Sequence, residues 1–180
     1  GFKTTDAAAY FSYFPIGAMG VTPLLGLYLD LKGKGATMLI LGSILMIVCH
    51  LTFALYPFDP GTTSSTIVAM SAIVLLGISF SLVPATLWPS VPKLIDNKVL
   101  GSAYSAIFWI QNVGLMSVPI IIGSILDSVN KGVPEGQPKD YTMAMLVFAS
   151  FGVIALLMSL FLKVLDSKKH YGLELPNVKQ

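Results

Sequence analysis

Two carboxylates each close a long apolar run, and each follows a glycine by one helical turn: Gly26 and Asp30 in the first run, Gly123 and Asp127 in the fourth. The two runs align without a gap at an offset of 97 residues, which also pairs Gly17 with Gly114, Met19 with Met116, Val21 with Val118 and Leu29 with Leu126. A carboxylate at the C-terminal end of a helix opposes the negative end of the macrodipole, at a cost of about 0.3–1 kcal/mol, so it requires a positive partner. For Asp30 the candidates are Lys32, Lys34 and the free N–H groups at the start of the fourth run near Gly101. Gly26 lies on the same helix face and would admit a neighbouring helix at short range. An acid that holds a neighbouring helix end works as a latch; the competing reading is a solvated loop charge that sets topology only.

A second group of residues offers binding chemistry. Gln111 and Asn112 stand near the middle of the fourth run, where a buried amide needs a hydrogen-bond partner. Peptide backbones present donors and acceptors that suit such amides, while the plainer role is glue between helices. Tyr13 and Phe14 sit deeper in the first run than Tyr10; they are candidates for a cavity wall, and Tyr10 fits an interfacial aromatic belt. Trp88, followed by Pro89 and Pro92, is either a belt anchor or part of an inner gate. His50 reads as a satisfied interfacial histidine. One cysteine, one intramembrane histidine and scattered serines supply neither a nucleophile with its base nor a metal-ligand set, so an enzyme is not expected and no cofactor is called for.

Long apolar helices must position these groups. Of 180 residues 54% are hydrophobic and only 11% charged, with a mean hydropathy of +0.78, whereas soluble domains carry about 25% charged residues. A bilayer span needs about 20 apolar residues. Five runs qualify, 7–29, 36–56, 66–91, 99–126 and 141–162, within a membrane region over 1–165 and followed by a cytoplasmic, solvated tail over 166–180. Barrel strands would be half as long and alternating, so the fold is an all-α membrane protein. Pro15, Pro23, Pro84 and Pro119 interrupt the runs and permit kinks. All eleven basic residues are lysines. Without arginine forks or a clustered basic face, no nucleic-acid partner is expected.

Lysines mark the cytoplasmic side. Lys32, Lys34, Lys93, Lys98, Lys163, Lys168, Lys169 and Lys179 fall on one side, against Lys3, Lys131 and Lys139 on the other, which places Gly1 outside and Gln180 inside. The odd number of spans suggests a fragment with a helix missing before it. The Gly–Asp copies are three helices apart in chain order, with two spans between them, so they cross the membrane in opposite directions, the arrangement of secondary transporters with midplane sites. The competing origin is helix packing alone.

The stretch Gly26-Leu-Tyr-Leu-Asp30-Leu-Lys-Gly33-Lys34-Gly35 resembles the loop motif of the major facilitator superfamily, Gly-x-x-x-Asp-x-x-Gly followed by a basic pair, with Gly35 in place of the second basic residue. Ala85-Thr-Leu-Trp88-Pro89, and the run from Leu100-Gly-Ser-Ala-Tyr104 through Gln111-Asn112-Val-Gly114 to Gly123-Ser-Ile-Leu-Asp127, resemble the branch of that superfamily containing the animal lysosomal dipeptide transporters. The resemblance implies five helices of the C-terminal six-helix half of a major facilitator fold, corresponding to helices eight to twelve, with the N-terminal half of the same chain as a missing partner. It implies alternating access, with the second and fifth spans facing lipid. It also implies a small-molecule or peptide substrate; the candidates to bind it are Tyr13, Phe14, Gln111 and Asn112, and the candidates to gate it are Gly26, Asp30, Gly33, Lys34, Trp88 and Asp127. The rival function is a non-transporting membrane scaffold or partner-binding subunit. No carboxylate occupies the middle of a span, which leaves uniport and proton coupling both open. Lysine-only loops favour a bacterial inner membrane, with the lysosomal membrane as the alternative.

Overall fold

A computed structural model describes residues 4–59, 61–134 and 136–178; Gly1, Lys3, Lys179 and Gln180, used above for topology, lie outside them. Among the described residues all regular structure is helical: α1 Thr4–Lys32, α2 Gly35–Leu55, α3 Thr63–Leu94, a 3-10 turn Asn97–Val99, α4 Leu100–Val129 and α5 Thr142–Lys169. All five α-helices are long and apolar enough to cross a membrane. Each contains one expected span almost entire, but most run further than the apolar count. Helix α3 continues through Pro84, Pro89 and Pro92 to Leu94, and α5 runs about two turns past Leu162, to Lys169. Hydropathy falls at the first charges, whereas the backbone ladder stops only where the dihedrals change. For α5 that point is His170, in the left-handed region at φ 56°, followed by Gly172 at φ 83°.

Four helices form a row in the order α1, α3, α2, α5, with α2 packed on both α3 and α5. Without a hydrophobic driving force in lipid, such contacts depend on small residues and on hydroxyls that reach a neighbouring carbonyl. Both devices are present. A Cβ on Gly152 of α5 would come within 2.7 Å of Ile47 Cγ1 on α2, and one on Gly42 of α2 within 3.3 Å of Leu82 Cβ on α3. Ser79 Oγ of α3 donates to the Gly42 carbonyl at 2.7 Å, and Ser81 Oγ of the same helix to the Ala18 carbonyl of α1 at 3.3 Å. Helix α2, placed against lipid by the family resemblance, packs between α3 and α5 within this chain and leaves exposed an apolar strip including Leu41, Ile44, Val48 and Leu55.

Helix α4 is different. It touches α5, α3 and the 3-10 turn sparsely, none of its residues is buried, and Trp109, Leu115, Met116 and Ile120 present an apolar face outward. After it, Asn130 staples the following loop. Its Nδ2 donates to the Asp140 carbonyl at 3.0 Å, and its Oδ1 accepts the Asp140 N–H at 2.7 Å.

Candidate functional site

Where α4 leans over α2 and α3 it closes one side of an open cavity of about 500 Å³, walled by Met46 of α2, Phe80, Pro84 and Trp88 of α3, and Ile107 and Gln111 of α4. That volume lies within the range of small-ligand sites, about 300–1,000 Å³. The wall is apolar apart from Gln111 and Ser79, and the Ser79 hydroxyl is already committed to Gly42. Gln111 is exposed and makes no hydrogen bond among the described residues, so its amide is free to meet a ligand. Asn112, its sequence neighbour, is turned about 100° around the helix; it is exposed and donates to its own helix at the Phe108 carbonyl, 2.7 Å away. The structure thus brings only one of the two predicted amides to this cavity.

The aromatic pair also divides. Phe14 is half-buried, meets Phe80 edge-on at 5.3 Å between centroids, and lines a second open cavity of about 560 Å³ with Phe80, Met19 and Thr22. Tyr13 is 56% exposed on another face. Phe80, which the sequence did not single out, belongs to both cavities; its signal was a lone large ring between Ser79 and Ser81.

Trp88 is half-buried against α4. Its ring stacks on Phe108 of α4 at 5.0 Å and tilts against Tyr104 at 6.0 Å, while the Tyr104 hydroxyl donates to the Trp88 carbonyl at 3.0 Å. This cluster is the principal fastening between α3 and α4. His50 behaves as expected of a satisfied histidine: Nδ1 lies 2.8 Å from the Met46 carbonyl, and the ring packs on Phe148 at 5.4 Å.

The Asp30 end departs from the sequence expectation in three respects. Asp30 Oδ1 accepts from Asn177 Nδ2 at 2.9 Å, and the Asp30 carbonyl accepts the Val178 N–H at 3.3 Å; neither Lys32, Lys34 nor the Gly101 region serves it. Gly26 admits no close neighbour, since a Cβ there would meet nothing within 4 Å. The close approach is at Gly33, where a Cβ would run into the Glu174 carbonyl oxygen. The tail is thus docked rather than solvated, because Leu173 gives it a buried apolar anchor and Glu174 a hydrogen-bonding group. Leucines alternating about Glu174, between Gly172 and Pro176, were the available signal. Asp127, by contrast, is exposed with no hydrogen bond among the described residues. Lys34 is exposed as well, at φ 71°.

Five helices long and apolar enough to cross a bilayer define a multi-pass integral membrane protein. The chain matches the Major Facilitator Superfamily model over residues 1–176, and it belongs to that family. Among curated relatives, the lysosomal dipeptide transporter MFSD1 of Danio rerio is 32% identical over 97% of this chain and 34% of its own length. MFSD1 of Homo sapiens is 33% identical over 71% of this chain and 26% of its own, and that of Gallus gallus 30% identical over 71% and 27%. The chain spans about a third or less of the relatives it matches. No solved structure matches it.

Proposed function

We propose that the chain supplies the C-terminal part of an alternating-access secondary transporter for dipeptides or other short peptides. The observation that carries this reading is the free amide of Gln111 in an otherwise apolar cavity wall. A peptide unit pairs one donor and one acceptor with a side-chain amide, and its side chains find the rings of Phe80 and Trp88. In this reading Gln111 and Phe14 contact substrate, whereas Tyr13 and Asn112 face the N-terminal half or lipid. Trp88 joins α3 to α4 as the inner gate. Asp30, Gly33 and Lys34 act as a latch, Gly26 as the glycine of its motif, and Asp127 as the open counterpart of Asp30. The relatives' names support a lysosomal membrane, and none of them speaks for the bacterial inner membrane.

The experiment is uptake of labelled dipeptides into proteoliposomes of the full-length protein, with and without an imposed pH gradient. Saturable uptake is expected, and its response to the gradient separates coupled from uncoupled transport. Folded protein that takes up no cationic, neutral or acidic dipeptide would remove the peptide reading.

A further inference from the structure

The nine residues after α5 make a dense set of contacts with a turn more than 130 positions earlier in the sequence. Two backbone bonds run from the α1–α2 turn to the tail: Lys34 N–H to the Glu174 carbonyl at 3.1 Å and Gly35 N–H to the Leu173 carbonyl at 3.0 Å. A third donor, the Thr37 N–H, reaches Glu174 Oε1 at 2.8 Å, and the Thr37 hydroxyl lies 2.9 Å from Glu174 Oε2. These N–H groups open α2 and have no partner within the helix. Lys34, at the capping position, makes no side-chain cap bond, so a carboxylate from the far end of the chain caps α2 in its place.

The other helices of the row are tied to the same segment. Lys93 of α3 donates to the Gly172 carbonyl at 3.0 Å and the Leu175 carbonyl at 2.9 Å. Buried Asp166 of α5 accepts the Leu173 N–H at 3.0 Å, and Lys163 of α5 donates to Thr37 Oγ1 at 2.8 Å. Asn177 and Val178 hold Asp30 of α1. Leu173 is 2% exposed, and the space left beneath the segment is about 10 Å³, no more than one water.

Backbone strain marks the same junction. Among the described residues only two non-glycines have positive φ, Lys34 and His170, one on each side of it. Left-handed backbone at such residues is sterically unfavourable and persists where surrounding contacts over-determine it.

We propose that residues 172–178 are an intramolecular strap, a conformational device that clamps the Asp30–Lys34 turn. While it is seated, the ends of α1, α2, α3 and α5 are held as one body; when it lifts, α2 loses its cap and Asp30 its partner together. The device goes beyond the peptide reading and does not depend on any substrate.

Hydrogen exchange tests it directly, read by mass spectrometry on the full-length protein in lipid nanodiscs. The comparison sets wild type against a chain ending at His170 and against Glu174→Ala with the tail intact. Peptides covering residues 33–38 should exchange about tenfold faster in the truncated chain and by an intermediate factor in Glu174→Ala, while the Asn130–Asp140 loop stays unchanged. Unchanged exchange over 33–38 in a monodisperse truncated chain would overturn the strap. Should truncation prevent folding, Glu174→Ala and Asn177→Ala decide with the same readout, and wild-type exchange in both would overturn it equally. Because exchange reports on the turn itself, the result stands whether or not dipeptides are carried.

Discussion

The two copies of the Gly-x-x-x-Asp pattern end in opposite circumstances. Asp30 closes a helix packed along α3 and is held by the tail at 2.9 Å; Asp127 closes α4, which has no buried residue, and stands exposed. Neither glycine of the pattern, Gly26 nor Gly123, has a neighbour within 4 Å of where its Cβ would be. The repeat therefore carries helix direction and charge, and the rest of the chain decides what the charge does. At one end a segment distant in sequence converts a loop acid into a clamped one. At the other, the fastenings among the described residues are local, chiefly those between Asn130 and Asp140.

The largest expected break in this contrast comes from two glycines with similar backbones. Gly33 at φ 75° and Gly132 at φ 87° both need the left-handed region, but a Cβ on Gly33 meets the tail backbone while one on Gly132 meets nothing. Gly33→Ala should lower stability by about 3 kcal/mol and Gly132→Ala by about 1 kcal/mol, read as apparent melting of the purified protein in detergent. Equal losses would mean that backbone strain alone matters and the strap contributes nothing.

Next in size is the amide pair on α4. Gln111→Leu should raise the KM for dipeptide uptake by about tenfold, the worth of one or two net hydrogen bonds, and Asn112→Leu should leave it unchanged. The reverse order would place substrate on the other face of α4. Smaller again, Asp30→Asn should slow uptake by about threefold at equal expression, because a neutral amide accepts from Asn177 more weakly than a carboxylate. Asp127→Asn should not slow it.

Where the sequence could be read and where it could not follows from the range of the forces involved. The five spans were legible because each is a local statement about solvent, repeated over twenty residues. The cavity wall was legible in residue type but not in direction: Gln111 and Asn112 are adjacent letters, and only the phase of α4 against α3 turns one to the cavity. Trp88 suited two roles by residue type, and its contacts with Phe108 and Tyr104 one helix later were not legible from its own neighbours. The strap was least legible. It joins Lys34 to Glu174 across most of the chain, and nothing near either residue announces the other.

The smallest expected effect tests whether the two ends are independent. Asp140 lies in the loop before α5, where hydrogen bonds from the Thr142 side chain and backbone N–H hold its carboxyl below the ordinary carboxylate value of 3.8. A carboxylate whose folded pKa is depressed stabilises the fold above its unfolded pKa and loses that contribution as pH falls through the folded value. The melting difference between wild type and Asp140→Ala should therefore be present at pH 7 and shrink on acidification below about pH 4; a difference that persists undiminished at pH 3 would show that the charge is not the cause. Helix α5 separates this loop from the strap by about 40 Å, far beyond the range over which substitutions couple. The same pH-dependent difference should thus reappear in the chain ending at His170. If losing the strap alters it, the row of helices transmits strain from end to end, and the clamped and open ends of the molecule are parts of one switch.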